Sequence, residues 1–404
     1  MATDSMSTGG PPLAGLRVLD LSRVFAGPVA GRTLSDLGAD VVKVEPPDGD
    51  VTRLWGRITA GMSTYYTQQN CGKRNIGIDL TKPGGPDLVK RLAAEADVVI
   101  ENFRPGVMAK FGIDWAELSA VNPALIMLSI SGFGQHGSES QRAAYAPIIH
   151  AESGILPPGP EGHATEDIAL SAADVLSGMH GVIGVLSALR VRDATGVGQH
   201  VDMAMLDAMT FSNDQIVTSL DGGRPGEHIG GEVWDTSIGP MMLTGGLRWI
   251  WHQMSNTHGL VDDSPSDADI AMKVSARRRL VTAYLCSLSD REAVLGALDA
   301  ANLAWADLRY GPEVLTSPTL AERDSIATIS DRNGSTRQVI RAPYRMSVSD
   351  TSEVGVAPFR GEHNHDVLTE WLTAADAIDA FADVLHTDEW ADALSNTSST
   401  GSTR

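Results

Sequence analysis

"LRVLDLSRVFAGPVAGRTLSDLGADVVKVEP", residues 16–46, decides the fold. "LRVLDL" (16–21) is an apolar run of strand length. "GPVAGRTLSDLGAD" (27–40) spaces its apolar residues as a helix does and is closed by Gly38. "VVKVEP" (41–46) is a second strand, stopped by Pro46, Pro47 and "DGD". The rhythm then repeats. "NIGIDL" (75–80) is a strand, "GPDLVKRLAAEA" a helix, and "DVVIEN" (97–102) and "LIMLSIS" (125–131) are further strands. Strand–helix–strand alternation predicts an α/β fold with a mostly parallel sheet and helices on both faces. Strand order is not readable from the pattern.

After residue 132 the character changes. "GFGQHGSESQRAAY" is a polar loop, a long helix is predicted over about 172–192, "GQHVDMAM" is a short strand and "LDAMTFSNDQIVTSL" a helix. Residues 221–246, rich in Gly, Pro and acidic residues, read as a linker or crossing segment. "TGGLRWIWHQ" (244–253) reads as a hairpin entering a smaller domain, with Trp249 and Trp251 alternating about Ile250 as on a strand, or as a glycine loop over a site. Residues 268–330 are helical and charged. "RQVIRAPYRMSVS" and "APFRGEHNHDVLTEWL" predict a strand, a turn and a terminal helix. The expected division is 13–220 and 337–394 for a large domain and 221–336 for a linker and small domain. Residues 1–12 and 395–404 are expected to be disordered tails.

Composition narrows the function. The chain has 404 residues, 42% of them hydrophobic, and a formal net charge of −20. Such acidity argues against nucleic acid, whose binding rests on phosphate neutralisation. Residues 1–110 nevertheless balance at +1, leaving −21 for the rest, so a polyanion is better received by the first quarter. No apolar run in the sequence approaches the ~18 residues of a membrane span. "MATDSMSTGG" has neither the basic nor the apolar region of a signal peptide. Two distant cysteines, Cys71 and Cys286, fit a reduced cytoplasmic setting without structural zinc.

No G-x-G-x-x-G follows the first strand, where "SRVFAGPVAG" stands instead, and no P-loop, G-x-S-x-G or H-E-x-x-H is present. His363 and His365 in "GEHNH" have a ligand-like spacing but no third ligand nearby, so no metal is expected. "SAADVLSGMHG" (171–181) leaves two readings open. Asp174 is a favoured helix cap. It is also a carboxylate that a helix dipole would keep ionised, and so a nucleophile. Gly178, Gly181 and Gly184 recur behind it. Glycine costs about 1 kcal/mol relative to alanine within a helix, so close approach by a backbone or ligand is expected.

The blocks "LAGLRVLDLSRVFAGPVAGRTLSDLGADVVKVEPPDGDVTRLWG", "NCGKRNIGIDL", "ADVVIENFRPGVMAKFGI", "DVLSGMHGVIGVLSALRVRDATGVGQHVDMAMLDAM" and "APFRGEHNHDVL" resemble, in order, the family III CoA-transferases. The resemblance implies a Rossmann-like large domain, a smaller α+β domain, and an interlocked homodimer. It implies that coenzyme A and acyl-CoA are substrates and that no cofactor is tightly bound. It makes Asp174 the nucleophile, passing through aspartyl mixed anhydrides and an aspartyl-CoA thioester to a carboxylic-acid acceptor. By matching position it assigns CoA contacts to Phe25, Ala26, Ile78, Asp79, Asn102, Phe103, Arg104 and Lys110, and a place in the site to Tyr145. Phe25 stands where relatives often carry glutamine, and Ala146 where transferases often carry an acid. The same family holds α-methylacyl-CoA racemases. Tyr145 stands where those carry histidine, and "SIGPMMLTGG" lacks their glutamate, which favours transfer. A non-catalytic CoA-binding protein is the other alternative. Arg142, Arg224 and Arg248 are candidates to meet a dicarboxylate.

Overall fold

The computed structural model describes residues 9–156, 167–222, 230–372 and 379–388. They form two units, one from residues 1–214 and 322–404, the other from 215–321.

The larger unit is built on six strands: β1 (Arg17–Asp20), β2 (Asp40–Glu45), β3 (Arg74–Gly77), β4 (Val98–Glu101), β5 (Ile126–Ser131) and β6 (Gln199–Ala204). All pair in parallel, in the order β3-β2-β1-β4-β5-β6. This is the doubly wound order, which reverses direction between β1 and β4. β5 is buried at every position, as a strand covered on both faces must be. One face carries α1 (Ala26–Asp36) and, further along the chain, the long helix Ala172–Thr195, over a core of Val18, Ile100, Ile126, Leu128 and Val185. The opposite face carries α2 (Gly84–Ala94), α3 (Trp115–Val121) and, from the end of the chain, Asn364–Leu372, over Leu19, Val42, Ile76, Val99 and Leu92. The helix α4 (Ala146–Glu152) precedes α5 (Ala172–Thr195), and α6 (Met205–Ser212) follows β6. The helix expected over 206–220 is interrupted at Asn213, which ends α6.

Helix α5 is long and apolar enough, by length and composition, to cross a membrane, although glycines, serines and charged residues interrupt its apolar sequence. Half of that window is buried here against α1 and the sheet, as in a core helix.

The smaller unit corrects two expectations. Residues 221–246 are not simply a linker: β7 (Gly231–Thr236) and β8 (Gly239–Thr244) form an antiparallel hairpin. Its alternation, Trp234 and Thr236 against Met241 and Leu243, is interrupted by Gly239 at φ +108°, the turn position that disguised it. Residues 247–258 are α7 (Leu247–His258), neither strand nor hairpin. Ile250 and Met254, four apart, are its buried residues, and Trp249 lies outside that stripe. Helices α8 (Ile270–Ser287) and α9 (Arg291–Ala300) and the strand β9 (Trp305–Asp307) also belong to this unit.

The chain returns to the larger unit with the hairpin β10 (Ile326–Ser330) and β11 (Thr336–Ile340). Ala327, Ile329 and Val339 share a core with Met62, Tyr66 and Phe359, so residues expected in the small domain up to 336 fold with the large one. The terminal helix is α10 (Asn364–Leu372). Of the expected tails, residues 1–8 and 395–404 lie outside the described residues. Residues 9–12 are placed, with Gly9 bridging Ser349.

Candidate active site

The reversal of strand order opens a crevice beyond the carboxyl ends of β1 and β4. Two cavities adjoin there. The first, about 430 Å³, is lined by Val24, Ala26, Asn102, Arg104, Tyr145 and Asp174 among others. The second, about 530 Å³ and more apolar, lies beyond β1–β3 and is lined by Leu21, Val44, Pro46, Ile78, Asp79 and Phe111. Arg23 and Phe103 line both.

Asp174 is not the helix cap expected from its sequence neighbours. Ser171 is the N-cap of α5, and Asp174 sits in the first turn. The backbone N–H of Ala26, the first residue of α1, lies close enough to the Asp174 carboxylate to favour its charge. Two helix N-termini thus converge on one carboxylate, and both favour negative charge there. Burial opposes them and prevails, pushing the pKa up to about 6. The Ala26 N–H pulls it down.

Gly178 makes the convergence possible. A Cβ there would lie 2.3 Å from Val29 Cγ1 and 2.7 Å from the Ala26 carbonyl oxygen. Gly181 and Gly184 instead accommodate the side chains of Leu128 and Val201.

Three further features surround Asp174. Tyr65 is close enough for the Asp174 charge, second to burial, to raise its pKa. His150 is 1% exposed. Its Nδ1 lies 2.8 Å from Asp167 Oδ1, and its Nε2 accepts the Ala173 N–H at 3.2 Å. An Nε2 acceptor puts the ring proton on Nδ1, so His150 ties the start of α5 to Asp167. The third is the turn before α1. Val24 adopts φ +69°, left-handed, which a β-branched residue rarely does, at a cost on the order of 1–3 kcal/mol. Its N–H donates to the buried Asp50 carboxylate at 3.1 and 3.3 Å. No motif points to Asp50; "PPDGD" reads only as a turn.

Of the expected site residues, Ala26, Asn102, Phe103, Arg104, Tyr145 and Asp174 meet around the first cavity, and Ile78, Asp79 and Phe103 around the second. Asn102 also clamps the turn: its Oδ1 accepts from Arg23 N at 2.8 Å and its Nδ2 donates to Arg23 O at 2.7 Å. Asp79 accepts from the Thr81 N–H and hydroxyl, which hold its pKa down. Phe25 and Lys110 line neither cavity. Phe25 packs edge-on against Tyr65, with centroids 5.8 Å apart. Lys110 is exposed at the end of the short helix Val107–Lys110, between Val107 and Phe111, which do line the second cavity.

Arg142 lines the first cavity but is paired with Glu139 and Glu152. Arg248 belongs to the smaller unit, beside Trp249 and His252, and Arg224 lies outside the described residues. His363 Nδ1 accepts the Asn75 N–H at 3.2 Å. Among the described residues no three His, Cys, Asp or Glu side chains gather as metal ligands.

The family model described as CoA-transferase family III matches residues 13–364. A succinate–glutarate CoA-transferase of Agrobacterium fabrum (strain C58) is 34% identical over 388 residues, covering 90% of this chain and 96% of that protein. The beta subunit of a succinyl-CoA–L-malate CoA-transferase of Chloroflexus aurantiacus is 31% identical over 385 residues, covering 90% and 95%. Among solved structures, a CAIB/BAIF family protein from Brucella suis superposes with a TM-score of 0.75 at 33% identity, covering 89% of this chain and 99% of that one. The chain belongs to CoA-transferase family III.

Proposed function

We propose that the enzyme moves coenzyme A from an acyl-CoA to a free carboxylic acid with Asp174 as nucleophile. The observation that carries the reading is the half-buried Asp174 carboxylate, met by two helix N-termini at the mouth of the crevice. An Asp174 oxygen attacks the thioester carbonyl and expels CoA thiolate, leaving a mixed anhydride. The thiolate attacks the Asp174 carboxyl carbon, releases the donor's carboxylate and leaves an aspartyl-CoA thioester. The acceptor carboxylate repeats the sequence in reverse, and Asp174 is regenerated. Electrons and protons balance without a redox partner. The protein contributes position and N–H dipoles where negative charge gathers.

CoA fits the two cavities by chemistry. The apolar second cavity takes a flat heteroaromatic ring, and Arg23, which lines both, stands where the chain between ring and thioester would cross. Arg104 and the exposed Lys110 supply cations for phosphate. The two relatives named above act on succinate with glutarate or malate, so we assign a dicarboxylic acid to the donor or acceptor. We place the reaction in a reducing cytoplasm, where the exposed Cys286 thiol persists. We also propose an interlocked homodimer. Ile183 on α5 and Phe211 on α6 expose apolar surface that a second copy would cover. Light scattering of the purified protein gives the oligomeric state; a monomer at micromolar concentration removes that part.

Racemisation would need a second acid or base near the substrate. Among the described residues, Asp174 is the sole carboxylate lining the first cavity and no histidine lines it, while His150 is held at both ring nitrogens. The test is intact-protein mass spectrometry with a panel of acyl-CoA donors, followed by addition of dicarboxylic acids. A covalent adduct on Asp174 and product acyl-CoA are expected, and neither with Asp174→Ala. Deuterium exchange at Cα in the absence of acceptor, without an adduct, refutes the transfer reading. Absence of any adduct across the panel refutes catalysis.

A further inference from the structure

We infer that Asp50, with Lys43 behind it, is a positioning residue for CoA transfer: the pair holds the Ser22–Ala26 turn in the conformation that presents the Ala26 N–H to Asp174. The inference rests on the reading of Asp174 as nucleophile.

The turn is gripped by side chains from outside it. Lys43 Nζ donates to the Ser22 carbonyl at 2.7 Å. Asn102 holds both backbone groups of Arg23. Asp50 takes the Val24 N–H and is itself fixed by the Thr52 N–H at 3.0 Å, the Thr52 hydroxyl at 2.9 Å and Lys43 Nζ at 3.2 Å. The Lys43 and Asp50 side chains are both fully shielded from solvent.

A buried ion pair is a poor source of stability, because desolvation offsets the attraction. This one instead holds two backbone groups of a strained turn. Val24 is β-branched at φ +69° and, released, returns to negative φ. That rotation swings the peptides that follow, and Ala26 is two residues on. Gly27 keeps the turn tight, since a Cβ there would lie 2.1 Å from Ser22 Cβ.

Lys43→Met with Asp50→Ala removes both charges together and leaves none buried alone. Thermal unfolding checks that the fold persists. Acylation of Asp174, followed in a single turnover by mass spectrometry, is expected to slow at least tenfold. The acid limb of its pH profile is expected to move to higher pH, because the N–H that favours the carboxylate is lost. The other groups facing Asp174 lie outside the turn and are unchanged: His150 on α4, Tyr65 on the helix Thr64–Asn70, and Arg104 and Arg142 around the cavity; Arg23, within the turn, keeps the grip of Asn102 on its backbone. Adding Val24→Gly is expected to recover at least threefold, since glycine takes a left-handed φ freely.

If the double variant does not fold, Asp50→Asn with and without Val24→Gly gives the same comparison at conserved size, with partial loss and recovery expected. Wild-type acylation with an unmoved acid limb, or a loss that Val24→Gly does not relieve, overturns the positioning role while Asp174→Ala remains inert. If Asp174→Ala still forms product, it is the nucleophile reading that fails.

Discussion

Replacing Asp174 by asparagine is expected to abolish transfer and to stabilise the fold. The carboxyl pKa is pushed from 3.8 to about 6, chiefly by burial. A shift of about two units corresponds to roughly 3 kcal/mol between the two protonation states. The side chain keeps some exposure, so about 1–3 kcal/mol is the usable range. The sign follows from proton uptake. An acid whose pKa rises on folding binds more protons in the folded state, so stability present below pH 3.8 is lost as pH rises through about 6. Asparagine has nearly the same shape, and its carbonyl can accept the Ala26 N–H, but it carries no charge to desolvate. Asp174→Asn is therefore expected to match the wild type near pH 4 and to exceed it by about 1–3 kcal/mol at pH 8. That is a rise of a few degrees in melting temperature for a unit of this size. Differential scanning fluorimetry across pH 4–8, checked by urea titration at both ends, reads it. A variant less stable than wild type at pH 8, or a difference that does not change with pH, refutes the electrostatic account of this carboxylate.

Gly178→Ala forces a methyl to within 2.3 Å of Val29 and 2.7 Å of the Ala26 carbonyl, so α5 must move off α1. Transfer is expected to fall more than tenfold, with a stability loss of about 1–3 kcal/mol by denaturant titration. Glu101 is buried and its pKa is raised to about 7, again mainly by desolvation, so its burden on the fold appears as pH rises through 7. Glu101→Gln is expected to raise the urea midpoint at pH 8 and leave it nearly unchanged at pH 4. Lys110→Ala is expected to raise KM for acyl-CoA about two- to fivefold at low ionic strength, with kcat unmoved and the effect gone at high salt; an unchanged KM at low salt removes Lys110 from the phosphate contacts.

The large sheet was legible because its strands are nearly continuous aliphatic runs. "LIMLSIS" admits little but a strand covered on both sides, and β5 is buried throughout. Strand order was not legible, since a crossover can pass to either side without changing the local pattern. The hairpin Gly231–Thr244 was missed because Gly239 and outward-facing acids break its alternation, and α7 because two glycines and a Trp-Ile-Trp run mimic a strand. Charged residues in the floor of the site were hardest to read. In "VVKVEP" both Lys43 and Glu45 are buried, Lys43 paired with Asp50 and Glu45 with Arg53, both from the segment that directly follows β2. A lone charge in an apolar run looks like a solvent-facing position, because its partner is distant in sequence or hidden in a turn. Asp174 was found by resemblance. Its partner Ala26, by contrast, sits at the head of a helix legible from the first block quoted, so part of the site's geometry was present in local signals.

The same carboxylate is both disfavoured and held as an anion, and the proposed chemistry uses both tendencies. A carboxylate in water is weakly basic and a poor nucleophile. Raised to about 6, Asp174 is more basic yet still mostly ionised at pH 7.5. On attack its charge passes to the thioester oxygen and then to the departing thiolate, and the anhydride itself is neutral at Asp174. The desolvation burden is therefore relieved as the covalent bond forms. The N-termini of α1 and α5 remain in place to receive the displaced charge. Burial alone would leave Asp174 protonated and inert, and helix dipoles alone would leave it content as an anion. Their opposition requires two helices close enough to share one carboxylate, which is why Gly178 and the strained turn at Val24 belong to the chemistry as much as to the packing.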